Sequence, residues 1–209
     1  MSEKSNSFTD PQIIGRFLTY QKQFENALLS IKDPKFLVQF QRAVELSVLT
    51  LKDKKAIAVA GNGGSHSDAM HISAELINQF MYAHEPLPVI ALGTNQSVLT
   101  SWSNDKSFEN QLSREMLAYK DMLGLVICIT TSGKSKNILE LISVAKKNKL
   151  KVIALTSETA SKYLSECDVI LGVGSTITSN IQEIHSIIYH ALCGEIERAF
   201  TSEILQSEL

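Results

Sequence analysis

Long apolar runs are missing from this 209-residue sequence. The longest, such as 123–129, fall far short of the about 20 residues that a membrane-crossing helix needs. The opening MSEKSNSFTD is polar and has no apolar core of the kind a secretion signal requires. The expectation is a cytoplasmic protein. An excess of one charge is missing too. Lys and Arg number 20 against 22 Asp and Glu, a net charge of −2, which argues against coating a polyanion such as bulk DNA or RNA. Cysteine is scarce: Cys128, Cys167 and Cys193 each lie in an apolar stretch, spaced for neither a CxxC metal clip nor a disulfide framework. They read as reduced, buried thiols acting as small hydrophobes. There is no internal repeat, low-complexity tract or Pro- or Ser-rich linker, so one domain over 1–209 is expected.

What is present is an ordinary globular composition, 44% apolar and 20% charged, which excludes overall disorder. Two helical segments come first. From Pro11 to about Leu29, Ile13, Ile14, Phe17, Leu18, Phe24, Leu28 and Leu29 recur near a 3.6 period. Asp33-Pro34 then reads as an N-cap and first-turn proline opening a second helix to about Leu51. After Lys55 the texture changes to short continuous apolar runs at 56–61, 87–92, 123–130, 151–157 and 168–174, with helical patterns between them. Runs apolar on both faces are what strands covered by helices on each side require. Their alternation with helices implies a parallel sheet. The fold class is α/β: a doubly wound five-stranded parallel sheet flanked by helices, preceded by an N-terminal helical pair over about 10–54. In such sheets ligands bind outside the carboxyl ends of the strands, near the switch in strand order.

Two loops sit at such ends. After the first strand comes Gly61-Asn62-Gly63-Gly64-Ser65-His66. Glycines let the backbone turn sharply and approach a ligand, and the next helix N-terminus favours an anion. It is not the dinucleotide fingerprint, because the sixth position of GxGxxG is His66. A tight turn that binds nothing is the competing explanation. After the third strand, Thr130-Thr131-Ser132-Gly133-Lys134-Ser135 leads into a helix at Asn137. Four hydroxyls converge with a helix N-terminus, a cradle for a phosphate monoester. The glycine that a nucleotide-hydrolysing P-loop needs is replaced by Cys128. Helix capping accounts for two of the hydroxyls but not readily for all four.

His71 and Glu75 stand at i and i+4 on the helix that begins near Ser65, so imidazole and carboxylate are neighbours. Such a pair can share a metal, serve as acid and base, or be a plain surface contact. The last helix, from about Asn180 to Phe200, carries Gln182, Glu183, His185 and His190 beside an apolar face of Ile184, Ile187, Ile188, Ala191, Leu192 and Ile196. His190 falls at the edge of that stripe, where a charged form is costly. Gln182 and His190 are eight residues apart, about 12 Å along a helix, so both reach one metal only if their side chains lean together.

Together these residues resemble the signature of the phosphoheptose isomerases of the sugar-isomerase (SIS) domain superfamily. The specific part is Gly61-Asn62-Gly63-Gly64-Ser65-His66-Ser67-Asp68-Ala69-Met70-His71 with Glu75. Asn104-Asp105, Thr131-Ser132-Gly133 with Ser135, and Ile181-Gln182-Glu183-Ile184-His185 followed by His190 agree in order, over about residues 10–200. The resemblance implies an aldose–ketose isomerase converting sedoheptulose 7-phosphate to D-glycero-D-manno-heptose 7-phosphate, for bacterial surface polysaccharides. It implies a homotetramer with active sites at subunit contacts. It further implies one zinc ion per subunit, with His71, Glu75, Gln182 and His190 as ligands. Glu75 and His190 would be the catalytic pair. Asn62, Gly63, Gly64, Ser65, Glu75, Asn104, Asp105, Thr130, Thr131, Ser132, Ser135 and Gln182 would hold the sugar phosphate.

Three positions depart from the family pattern. Asn180 replaces the arginine that usually precedes Ile-Gln-Glu, Asn95 the aspartate common after the second strand, and Lys134 the usual asparagine of the phosphate loop. A non-catalytic relative in the superfamily is a tetrameric adapter that binds the bacterial replication initiator, and this is the alternative function. An adapter has no need for His71, Glu75, Gln182 and His190 together, and all four are present.

Overall fold

A computed structural model describes residues 10–201. Two helices lead: α1 (Pro11–Ser30) and α2 (Pro34–Lys52). Each starts on an aspartate whose carboxylate accepts an orphan backbone N–H, Asp10 from Gln12 and Asp33 from Lys35, with proline in the first turn. The strands follow where the apolar runs predict: β1 (Ala56–Gly61), β2 (Val89–Ala91), β3 (Leu123–Ile129), β4 (Lys151–Ser157) and β5 (Val169–Val173). Helices α3 (Gly64–Ile77), α4 (Gln96–Asp105), α5 (Gln111–Tyr119), α6 (Lys136–Lys147) and α7 (Thr178–Arg198) intervene or follow.

The five strands are all parallel, in the order β2-β1-β3-β4-β5. Side-chain alternation divides the core into two layers. On one face Ile57, Val59, Leu125, Ile127, Ile153 and Leu155 pack against α2, α3 and α7, through residues such as Ala43, Ile72, Ile184 and Leu192. On the other, Ala58, Ala60, Val126, Cys128, Val152 and Ala154 meet Leu112 and Met116 of α5 and Ile138 and Leu141 of α6. The chain reverses strand order between β1 and β3, so the crevice that such a sheet offers a ligand opens beyond Gly61 and Ile129.

The last helix differs from its sequence reading. Its packed face is Ile181, Ile184, Ile188, Leu192 and Ile196, joined by Tyr189 and Cys193, whereas Ile187 is 40% exposed and Ala191 is exposed as well. A 3.6 period allows either stripe; the direction from which the sheet approaches α7 selects between them. All three cysteines are free. Cys128 and Cys193 are buried, and burial pushes the half-buried Cys167 thiol up to about 12. No helix among the described residues is long and apolar enough to cross a membrane.

Candidate active site

The two loops meet at the switch point. Asn62, directly after β1, and Asn137, in the first turn of α6, exchange two amide hydrogen bonds of 2.9 and 2.8 Å. That reciprocal pair ties the glycine loop to the phosphate-type loop. Gly63 adopts φ +57°, a left-handed conformation that glycine accepts without strain. At Gly64 the reason for glycine is contact: a Cβ there would lie 2.6 Å from Gln182 Nε2. Gln182 of α7 therefore rests its amide directly on the start of α3. Ser65 is buried in the same turn.

Two of the four hydroxyls after β3 are used locally. Thr130 Oγ1 accepts from Gly133 N–H and Ser132 Oγ from Lys134 N–H, each at 3.2 Å. Ser135 occupies the N-cap position of α6 without making a side-chain cap bond. A cavity of about 350 Å³ opens beside this loop, lined by Thr131, Ser132, Ser157, Thr159, Thr178 and Ile181 among others. Lys134 and Lys162 also line it, both holding their ammonium groups over the Tyr163 ring, at 5.3 and 5.2 Å from its centroid. Ile181 borders the cavity and its neighbour Gln182 touches Gly64, so the first turns of α7 join the two loops.

Further along α3 and α7 the titratable residues converge. His71 Nε2 lies 2.8 Å from Glu75 Oε1. His190 comes from α7, its ring centroid 5.0 Å from that of His71 in an edge-on arrangement. One ligand atom from each of His71, Glu75 and His190 falls within 4.8 Å of the others. His190 Nδ1 is 2.8 Å from the Ser186 carbonyl. A carbonyl only accepts, so Nδ1 carries the proton and a neutral ring presents the Nε2 lone pair. His71 Nδ1 is 3.0 Å from the Tyr189 hydroxyl. Two imidazoles and one carboxylate are the donor set of a zinc site with an open position, so these residues fit that metal.

Several partners of this cluster escape sequence reasoning. Phe80 stacks on His190 with centroids 5.2 Å apart, and Tyr189 lies 4.6 Å from the same ring. Asp68, half-buried one turn before His71, has its carboxyl pushed above the usual range by burial, an effect moderated by His71 and the Tyr189 hydroxyl. Glu197, fully buried, accepts from the backbone N–H of Phe80 (2.6 Å), Met81 (2.7 Å) and Tyr82 (3.2 Å) and pairs with His84 Nε2 at 2.8 Å. Burial alone would raise its carboxyl; these bonds bring it below the ordinary value. None of this has a local sequence signal, because it depends on α3 packing against α7 and on the loop after α3 folding across α7.

Not every expected residue joins. Asn104 and Asp105 stand exposed at the end of α4, bonded to one another at 2.9 Å, and α4 packs mainly on α5 and the turn at Phe108–Asn110. His185 is fully buried with Nε2 3.3 Å from the Thr156 carbonyl, and burial holds it down to about 4. It belongs to the core. Of the departures, Asn95 caps α4 by accepting from Ser97 and Val98 N–H, work that an aspartate does equally. Asn180 is fully buried, and neither end of its amide has a hydrogen-bond partner.

The sequence profile of the SIS domain matches residues 19–157. A phosphoheptose isomerase of Campylobacter concisus (strain 13826) is 39% identical over 164 residues, covering 78% of this chain and 87% of that protein. The solved phosphoheptose isomerase of Francisella tularensis superposes with a TM-score of 0.80 at 30% identity, over 88% of this chain and 98% of that one. The enzyme of Neisseria gonorrhoeae gives 0.75 at 31% identity, over 90% and 98%. A parallel sheet in this strand order, a glycine loop laid against Gln182, and His71, Glu75 and His190 drawn together between α3 and α7 are the setting in which these likenesses fall. The chain belongs to the phosphoheptose isomerases of the SIS-domain family.

Proposed function

We propose that this enzyme interconverts D-sedoheptulose 7-phosphate and D-glycero-D-manno-heptose 7-phosphate through an enediol, supplying heptose for bacterial surface polysaccharides. The observation that carries this reading is the meeting of Glu75 with His71 and His190 between α3 and α7; a largely hydroxyl-lined cavity opens beside the loop after β3. In this reading Thr130, Thr131, Ser132 and Ser135 take the phosphate, with Lys134 adding charge. Asn62, Gly63, Gly64, Ser65 and Gln182 line the sugar. Asn104 and Asp105 would complete the pocket from a neighbouring subunit. That role fits their exposure at the end of α4.

The chemistry needs a base for a carbon-bound proton and an acid for the oxygen. Glu75 takes the proton from C1 of the ketose; the electron pair forms the C1–C2 double bond, and the carbonyl oxygen at C2 takes the Nε2 proton of His190, which enters this step as the imidazolium. In the second half His190 recovers a proton from the C1 hydroxyl, C1 becomes the carbonyl, and Glu75 returns its proton to C2. The Ser186 carbonyl fixes which ring nitrogen of His190 faces the sugar. His71, Glu75, Gln182 and His190 would hold a zinc ion, His190 doing so through Nε2 only when that nitrogen carries no proton. Its charge would stabilise the enediolate oxygen. A homotetramer working in the cytoplasm suits the exposed apolar residues of α1 and the three free thiols.

Glu75→Gln tests the base. It keeps size and hydrogen bonding but cannot accept the proton. Turnover of sedoheptulose 7-phosphate should fall by at least about 100-fold, while the variant folds and still binds the sugar phosphate. A variant that retains near-wild-type turnover would remove Glu75 from this role.

A further inference from the structure

Tyr189 has no part in the steps above, yet its hydroxyl is placed where a metal site needs help. The residue is 3% exposed on the packed face of α7, among Ile184, Ile188 and Leu192. For packing alone a phenylalanine suffices, and a buried tyrosine hydroxyl calls for polar partners. It has His71 Nδ1 at 3.0 Å and stands close enough to Asp68 to interact with that carboxylate. A neutral imidazole carries one N–H and one lone pair. If His71 offers Nε2, the nitrogen beside Glu75, to a cation, its proton must reside on Nδ1 and find an acceptor. A tyrosine oxygen accepts that proton while its own O–H points on to a carboxylate. His190 has the corresponding support from the Ser186 carbonyl.

We infer that Tyr189, backed by Asp68, is a positioning residue: it fixes the tautomer and orientation of the His71 ring so that Nε2 faces the space shared with Glu75 and His190. This rests on the reading of that space as a metal site. Outer partners of ligating histidines commonly govern metal affinity by about 10- to 100-fold.

The test is Tyr189→Phe, which removes one oxygen and keeps the ring. Zinc affinity is measured by competition with a chromogenic chelator, and the His71 ring nitrogens are followed by 15N NMR in zinc-loaded protein. The expected result is zinc binding weakened by about 10- to 100-fold. The His71 Nδ1–H signal, protected in the wild type, should be lost to solvent exchange. Asp68→Asn should weaken binding by less. Tyr189→Phe protein that holds zinc within about twofold of wild type, with the Nδ1–H signal intact, would overturn the inference. If Tyr189→Phe does not fold, Asp68→Ala carries the test: weakening of about threefold or more supports it, and unchanged affinity overturns it. Wild-type protein that binds no zinc would overturn this inference and the metal reading together. Turnover by such zinc-free protein would still leave the isomerase reading standing.

Discussion

His185 and His190 lie five residues apart on one helix in opposite circumstances. His190 is half-buried, with one nitrogen held by a carbonyl and its ring edge toward His71. His185 is sealed in the core, where burial holds it down to about 4 and keeps it neutral. Its folded pKa lies below the 6.5 of an unperturbed histidine, so the unfolded chain binds more protons between those values. The stability this creates is whole above about pH 6.5 and drains away as pH falls toward 4, by up to about 1.4 kcal/mol per pH unit. His185→Gln should therefore flatten the acid side of the stability profile. Urea unfolding of both proteins from pH 4.5 to 7 checks it; parallel slopes would contradict the assignment.

At the scale of elements, the loop after α3 is held by the last turns of α7. Glu197 gathers three consecutive backbone N–H groups and His84, and Arg198 donates to the Tyr82 hydroxyl at 2.7 Å. The clasp presents Phe80 to His190. Hydrogen bonds to a charged group contribute about 1.5–3 kcal/mol each, and a buried amide cannot serve four donors as a carboxylate does. Glu197→Gln should cost about 2–4 kcal/mol. It should also speed hydrogen exchange at the Phe80, Met81 and Tyr82 amides; unchanged exchange would contradict the clasp. The five strands were legible in the sequence because parallel strands buried on both faces must be continuously apolar. So were α1, through its periodicity, and α2, through its Asp33-Pro34 start. The stripe on α7 was not, because Ile187 and Ala191 satisfy the helical period as well as Ile181 and Leu192 do. His71, Glu75 and His190 were legible through spacing and resemblance. Tyr189, Phe80 and Glu197 were not: Tyr189 meets His71 only through the packing of α7 on α3, and Phe80 and Glu197 meet only because the loop after α3 crosses α7.

At the scale of the whole molecule, α1 and α2 leave apolar side chains uncovered among the described residues. Ile13, Phe17 and Leu18 of α1 are 58%, 60% and 56% exposed, and Leu37, Val38 and Leu49 of α2 are exposed alongside. Clustered exposure of this kind marks an interaction surface, and self-association would cover it with the same face of another subunit. Phe17→Asp should shift a tetramer to smaller species in sedimentation velocity, with activity falling as the contacts open. A wild-type monomer, or a Phe17→Asp protein still fully tetrameric, would contradict that assembly. The central claim is that these assembled residues isomerise a heptose phosphate with a bound metal. It is tested most directly by turnover of sedoheptulose 7-phosphate by purified protein, following the aldose product, before chelation, after it, and after zinc is returned. The account predicts product that disappears with the chelator and returns with zinc. Fully metallated, correctly assembled protein that forms no aldose would contradict it.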